Sequence, residues 1–226
     1  MPDPVRWHCF EDADAVAGEA LARILSASRR AIAARGRFSM VLAGGSTPER
    51  AYCLLKDSDT DWSRWFIWFG DERCLPVDHP DRNSVMADRA WLSHVQIPHE
   101  QIFSIPAELG PQKAAEIYES RLKSGTPFDL VLLGMGEDGH TASLFPNRAY
   151  PKDHRVVAVF DAPKPPSERV SLNYSTLCDT REMCVLVTGQ AKREAVRQWK
   201  QAVELPVTRL ACPAGVDVLL DETVCD

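Results

Sequence analysis

No apolar run in the 226 residues approaches the roughly 18 to 20 that a membrane-spanning helix requires. The opening MPDPVRWHCF also lacks the basic-then-apolar pattern of a secretory leader. No C-x-x-C pair occurs, and the seven cysteines (Cys9, Cys53, Cys74, Cys178, Cys184, Cys212 and Cys225) are odd in number and scattered. These absences set the expectation of a cytoplasmic chain with no membrane partner and with reduced thiols. An excess of positive charge is missing as well. The formal net charge of −6 speaks against the basic face of a general nucleic-acid binder, so no nucleic-acid partner is expected. A small anionic ligand stays compatible, because a few cations inside a cleft focus a local positive field.

Other signatures are absent too. There is no internal repeat, low-complexity tract or linker, and the length suits one α/β domain over residues 1–226. Gly44-Gly45-Ser46-Thr47-Pro48 is not a Walker loop, which needs Gly-Lys-Ser/Thr after four intervening residues. Gly134-Met135-Gly136-Glu137-Asp138-Gly139 resembles a dinucleotide fingerprint but leads into a polar Asp-x-His, so no nicotinamide cofactor is expected. His79, in Asp78-His79-Pro80-Asp81, has no second ligand pair at matching spacing, so no metal is expected.

What is present alternates between two periods. Residues 12–36 space Val16, Leu21, Ile24, Leu25 and Ile32 as one stripe of a long amphipathic helix ended by Gly36. Short apolar runs at 38–43, 65–69, 102–105, 128–133, 155–160, 169–173, 183–187 and 216–220 read as strands. Helical segments are expected after Pro48, from Asn83, from Pro111 and from Lys192 to about Gln201. Ser46 or Thr47 can cap the helix at Pro48, Asn83 the next, and Thr141 one beginning at Ala142. Strands alternating with helices predict an α/β, Rossmann-like fold: a mostly parallel central sheet with helices on both faces.

Four of these strands end in polar signatures: Gly44 to Thr47, Asp71-Glu72-Arg73, Gly134 to His140, and Gly189 to Lys192. In a parallel sheet such ends converge at one edge, where ligands bind. Gly44, Gly45, Ser46 and Thr47 fit either a phosphate cradle at a helix N-terminus or an ordinary capped turn, and the residues alone leave both open. His140 follows glycines and does not lie on an apolar helix face. Its imidazole can take a proton from water, with Asp138 or another carboxylate fixing its tautomer. Asp71 and Arg73 follow a buried strand, so they must be paired or face a cleft. Arg169 and Lys192 could clamp a phosphate, although a solvated charge is the commoner fate of either. Cys74, beside Arg73, is flagged as an oxidation-sensitive thiol.

The order and spacing of A-G-G-S-T-P, F-G-D-E-R, G-M-G-E-D-G-H-T-A-S-L-F-P, K-P-P-S-E-R-V-S-L and T-G-Q-A-K-R resemble the glucosamine-6-phosphate isomerase/6-phosphogluconolactonase family, on its lactonase side, over nearly the whole chain. The resemblance implies a glucosamine-6-phosphate deaminase-like fold, no metal or cofactor, and a phosphosugar lactone substrate, 6-phospho-D-glucono-1,5-lactone, hydrolysed to 6-phospho-D-gluconate. For that reaction His140 is the expected base, with Asp138 or Asp71 as its orienting carboxylate and Arg73 or the glycine-turn N–H groups facing the developing charge. Gly44, Gly45, Ser46, Thr47, Arg169 and Lys192 would hold the phosphate. The chain is expected as a monomer or weak homodimer. Departures at Arg82, Ser84 and Asn147 touch the substrate's edges only. In the deaminases the Asp-Gly-His turn continues to a ring-opening glutamate, and the matching position here is Phe145, which cannot shuttle protons. A non-catalytic sugar-phosphate sensor is disfavoured by the absence of a basic helix-turn-helix.

Overall fold

Strand β6, Phe128–Gly134, is buried along nearly its whole length, as an apolar run between Pro127 and the glycines should be in a sheet covered on both faces. In the computed structural model, which describes residues 5–122 and 125–225, it lies at the centre of a seven-stranded sheet. The strands are β1 (Val5–Phe10), β2 (Phe38–Leu42), β3 (Trp65–Phe69), β5 (Ile102–Phe103), β6, β9 (Thr180–Val187) and β10 (Val216–Asp221). Their order is β1-β10-β9-β6-β2-β3-β5, and every pairing is parallel. The chain builds outward from β2 through β3 to β5 on one side and from β6 through β9 to β10 on the other. The strand order therefore reverses between β2 and β6, which opens a crevice at their carboxyl ends.

Helix α1 (Ala13–Arg35) covers one face. Asp12 caps it by accepting from the Ala15 N–H, and Gly36, at φ 71°, ends it in a left-handed conformation that glycine adopts without a Cβ clash. Val16, Ala20, Ile24, Ala27 and Ala31 form its buried stripe, and the alanines let the helix lie close to the sheet. Helices α2 (Ser46–Leu55), α3 (Asn83–Ala90), α4 (Pro111–Arg121), α5 (Tyr174–Leu177) and α6 (Arg193–Lys200) complete the helical layers.

At Gly70 the chain leaves the parallel sheet. Its N–H still donates to Leu42, but its carbonyl accepts from Leu172. Strand β4 (Asp71–Arg73) then pairs antiparallel with β8 (Arg169–Leu172), which pairs with β7 (Val156–Val159) in a second, three-stranded sheet. This sheet brings the Asp71 and Arg169 segments together.

Three local expectations are corrected. Strand β1 was not anticipated, although Val-Arg-Trp-His-Cys-Phe alternates as an edge strand should. No helix begins at Ala142: residues 141–144 form a tight turn closed by a Thr141–Leu144 bridge, with Ala142 at φ 47°. Pro146 disfavours helical backbone at Phe145, and the Thr141 hydroxyl donates to the Gly134 carbonyl instead of capping. The caps of α2 and α3 also differ. Gly45 precedes α2 with no side-chain cap, while Glu72 of β4 reaches across to accept from the Asn83 and Ser84 N–H groups at 2.7 and 2.9 Å.

Cys9 and Cys225 form a disulfide, contrary to the expectation of reduced thiols throughout. It joins β1 to the turn after β10, with the two Cα atoms 6.1 Å apart. Among the described residues no helix is long and apolar enough to cross a membrane. The disulfide closes a loop with a sequence separation of 216, which on the chain-entropy account contributes about 5 kcal/mol. Reduction should therefore lower the calorimetric unfolding midpoint by about 10 °C. Cys9→Ser should match the reduced wild-type value and be insensitive to dithiol.

Candidate active site

The carboxyl edge between β2 and β6 holds a cavity of about 320 Å³. Its floor is backbone from Gly44, Gly45, Gly70, Gly134 and Gly136. At two of these positions a side chain has no room. A Cβ on Gly44 would collide with the Asn83 amide, and one on Gly136 would collide with the imidazole of His140 and press on Asp138.

Asp71 binds the parts of the cavity wall to one another. Its carboxylate is 6 % exposed; Oδ1 accepts from Asn83 Nδ2 at 3.0 Å and Oδ2 from the Ser143 hydroxyl at 2.6 Å. Asn83 also donates to the Asp71 carbonyl, at 2.9 Å. One buried acid thus links β4, the start of α3 and the turn that follows His140. Glu72, fully buried beside it, fixes α3 from the same strand and lies 3.5 Å from the buried Arg82 guanidinium.

His140 takes its orientation from Asp138, not from Asp71. Nδ1 lies 2.5 Å from Asp138 Oδ1, which also accepts from the His140 N–H at 3.2 Å. Burial pushes the Asp138 carboxyl up, but the His140 hydrogen bond, the His140 charge and backbone N–H groups outweigh it and bring the pKa from 3.8 to about 2. An ionised carboxylate can only accept, so Nδ1 carries a proton, and in the neutral imidazole the lone pair sits on Nε2. Nε2 makes no hydrogen bond among the described residues, and His140 lines the cavity. Phe145 packs against the imidazole with ring centroids 4.7 Å apart. The Tyr150 hydroxyl accepts from the Phe145 N–H at 2.8 Å and donates to the Ser143 carbonyl, which holds the turn.

Four cations line the cavity: Arg73, Lys164, Arg169 and Lys192. Asp71 is the lining carboxylate among the described residues, and both of its oxygens are occupied. Arg73 donates through Nη1 to the Asp81 carbonyl, while its buried Nε has no partner. Arg169 commits Nε and Nη2 to the carbonyls of Pro166, Lys164 and Pro165, so it holds the proline-rich loop. Burial lowers the pKa of Lys192, the nearby Glu137 partly opposing it.

Of the residues expected from sequence, Gly44, Gly45, Asp71, Arg73, His140, Arg169 and Lys192 line this cavity, and Asp138 supports it from behind His140. The side chains of Ser46 and Thr47 do not. Thr47 is buried against Thr188, 2.6 Å between hydroxyls, and Ser46 borders a separate groove between α1 and α2. Helix phase explains this: side chains in the first turn of α2 point outward from the helix axis, and no side chain caps its first N–H groups. At Cys74, burial and the charges of Glu168 and Glu72 push the thiol pKa up to about 11, which disfavours the reactive thiolate. Lys164, Asn83 and Ser143 were missed as site residues. Only Lys164 carried a signal, its place in the Lys-Pro-Pro segment.

Fold and cavity together define a Rossmann-like α/β protein whose site is a cationic, imidazole-bearing cleft at a sheet edge. Comparison with known proteins narrows the class: residues 11–219 match the family described as glucosamine-6-phosphate isomerases/6-phosphogluconolactonase, and the chain belongs to it. A 6-phosphogluconolactonase of Mycobacterium leprae is 39% identical over 206 residues, 83% of this chain and 82% of that protein. The chloroplastic 6-phosphogluconolactonase 3 of Arabidopsis thaliana is 36% identical over 84% of this chain, which spans 63% of that longer protein. The crystal structure of a 6-phosphogluconolactonase from Thermotoga maritima superposes with a TM-score of 0.91 at 26% identity, covering 97% of this chain and 100% of that one.

Gly136→Ala tests the packing of the turn that carries His140. The added methyl must push the imidazole aside, and a displacement on the order of 1 Å should cost about 10²-fold in turnover. Circular dichroism should stay native. The Asp138 shift carries a sign for stability: ionised Asp138 contributes fully above its ordinary 3.8, and the contribution is lost as pH falls toward 2. Asp138→Asn should remove that part of the acid destabilisation, read as a shallower loss of urea midpoint between pH 4 and 2.

Proposed function

We propose that this protein hydrolyses 6-phospho-D-glucono-1,5-lactone to 6-phospho-D-gluconate, a step of the oxidative pentose phosphate pathway carried out in the cytoplasm. The observation that carries the reading is the charge of the cavity. Four cations and one occupied carboxylate surround an imidazole with a bare Nε2, inside a protein whose net charge is −6. A dianionic phosphoryl group gives those cations a purpose, and the imidazole faces the other end of the same small ligand. The names of the relatives, 6-phosphogluconolactonases, support the same substrate.

The lactone carbonyl is electrophilic already, so catalysis consists of positioning, water activation and charge stabilisation. His140 Nε2 takes a proton from the water that attacks C1, and Asp138 stabilises the resulting imidazolium. Arg73 and the N–H groups of the glycine turns face the oxyanion of the tetrahedral intermediate. The bond between C1 and the ring oxygen then breaks, and His140 returns its proton to that oxygen, leaving a hydroxyl and a carboxylic acid that ionises. The N–H groups at the start of α2, from Gly45 through Thr47, together with Lys192 and the remaining donors of Arg169, hold the phosphate. Phe145 fits lactone hydrolysis, which needs one base and no second acid to open a ring.

The test is turnover of freshly made 6-phosphogluconolactone, followed by acid release against an enzyme-free control, since the lactone opens spontaneously. Wild type should accelerate it, and His140→Ala should lose about 10³-fold while remaining folded. Lys192→Ala should raise KM for the phosphorylated lactone and leave the unphosphorylated lactone unaffected. Near-normal turnover by His140→Ala would remove the base, and ammonia release from glucosamine 6-phosphate would replace the whole reading with deamination.

A further inference from the structure

Lys164 is held over the cavity by a device of its own. Its loop runs through Pro165 and Pro166, and the Arg169 guanidinium accepts no freedom there, donating to the carbonyls of Lys164, Pro165 and Pro166 at 2.9, 3.2 and 3.1 Å. The backbone is therefore fixed while the Lys164 ammonium, on its flexible stem, is free to choose a partner. That partner is Glu137, whose Oε2 lies 3.4 Å away.

Glu137 belongs to the turn that carries Asp138 and His140, so the ion pair links that turn to the proline loop, whose Lys164 lines the cavity. Lys192, across the same cavity, has no hydrogen-bonded or ion-paired partner among the described residues. Glu137 is the leading anionic influence on Lys192, ahead of Asp138, while Lys164 acts in the opposite sense. One carboxylate thus serves two lysines that line the cavity. The other carboxylates nearby are committed, Asp138 to His140 and Asp71 to Asn83 and Ser143. Glu137 and Lys164 are each about half exposed, at 53% and 51%, so their pairing is weak and exchangeable.

We propose that Glu137 is a resident counter-ion that an incoming phosphoryl group displaces, Lys164 leaving Glu137 to join Lys192 on the phosphate. The proposal rests on the reading of the cavity as a site for a phosphorylated ligand. It makes Lys164 a phosphate-binding residue and gives Glu137 a role in specificity. Neutral ligands cannot compete for Lys164, whereas a dianion can. After hydrolysis the ligand gains a carboxylate and would otherwise hold the cationic cavity more tightly, and Glu137 favours its departure by reclaiming Lys164.

Calorimetric titration with inorganic phosphate and with 6-phosphogluconate tests this without relying on turnover. Glu137→Gln should tighten both ligands two- to fivefold, the scale of a half-exposed ion pair, with the gain fading as salt rises from about 50 to 500 mM. Lys164→Gln should weaken both, and in the Lys164→Gln background Glu137→Gln should gain less than about twofold. Affinity for unphosphorylated gluconolactone should not move in any variant. Unchanged or weaker phosphate binding by Glu137→Gln overturns the exchange, as does a gain that persists in full without Lys164. If wild type binds neither phosphate nor 6-phosphogluconate, the phosphorylated-ligand reading falls with it. A protein that binds both normally but hydrolyses no lactone loses the proposed reaction and keeps the exchange.

Discussion

The carboxylate of Asp71, almost fully buried, accepts from Asn83 with one oxygen and from Ser143 with the other, and much of the cavity wall follows from those two bonds. A parallel sheet covered on both faces can expose functional groups only where its strands end. Those ends are loops, and loops converge on a defined geometry only if something ties them. Asp71 ties the chain leaving β3 to the start of α3 and to the turn after His140. Removing the carboxylate would leave the buried Ser143 hydroxyl without its acceptor, at a cost of about 1–3 kcal/mol, and the Asn83 amide with only the Asp71 carbonyl. Asp71 is thus a structural anchor of the site, and the imidazole is oriented by a different acid two residues away.

The second organising feature is an electrostatic concession. Four cations line a small cavity, and the fold steadies the two arginines among them on backbone carbonyls. Arg73 is steadied by Asp81 and Arg169 by its own loop. Lys192 stays unpaired and partly desolvated, which favours an anion that can pair with it. The depressed pKa of Asp138 keeps that acid ionised at all physiological pH, so the tautomer of His140 is set before any ligand arrives.

Much of this was legible in sequence where the signal is local. The run ending at Gly134, the glycine stop of α1 and the convergence of strand ends follow from periodicity and turn chemistry, and the parallel sheet followed from strand–helix alternation. What was not legible depends on contacts between segments far apart in the chain. Ser143 meets Asp71 across 72 positions, and Cys9 meets Cys225 across 216, and no spacing rule encodes either. The choice of Asp138 over Asp71 for His140 also required the turn geometry. Ser46 and Thr47 illustrate a third limit: their place after a glycine pair was read correctly, but the phase of α2 turns Thr47 toward Thr188 and Ser46 toward α1. Pro146 was visible beside the expected helix at Ala142, and its effect on the preceding residue outweighed the capping signal of Thr141.

Ionised Asp138 fixes the neutral His140 imidazole with its proton on Nδ1 and a bare Nε2 in the cavity. Nitrogen-15 NMR of labelled imidazoles reads this directly, with Asp138→Asn assigning the His140 signal. The neutral His140 imidazole of the free protein should be the Nδ1–H tautomer, and its Nε2 resonance should shift when 6-phosphogluconate is added. A proton resident on Nε2, or an Nε2 signal indifferent to the ligand, would contradict it.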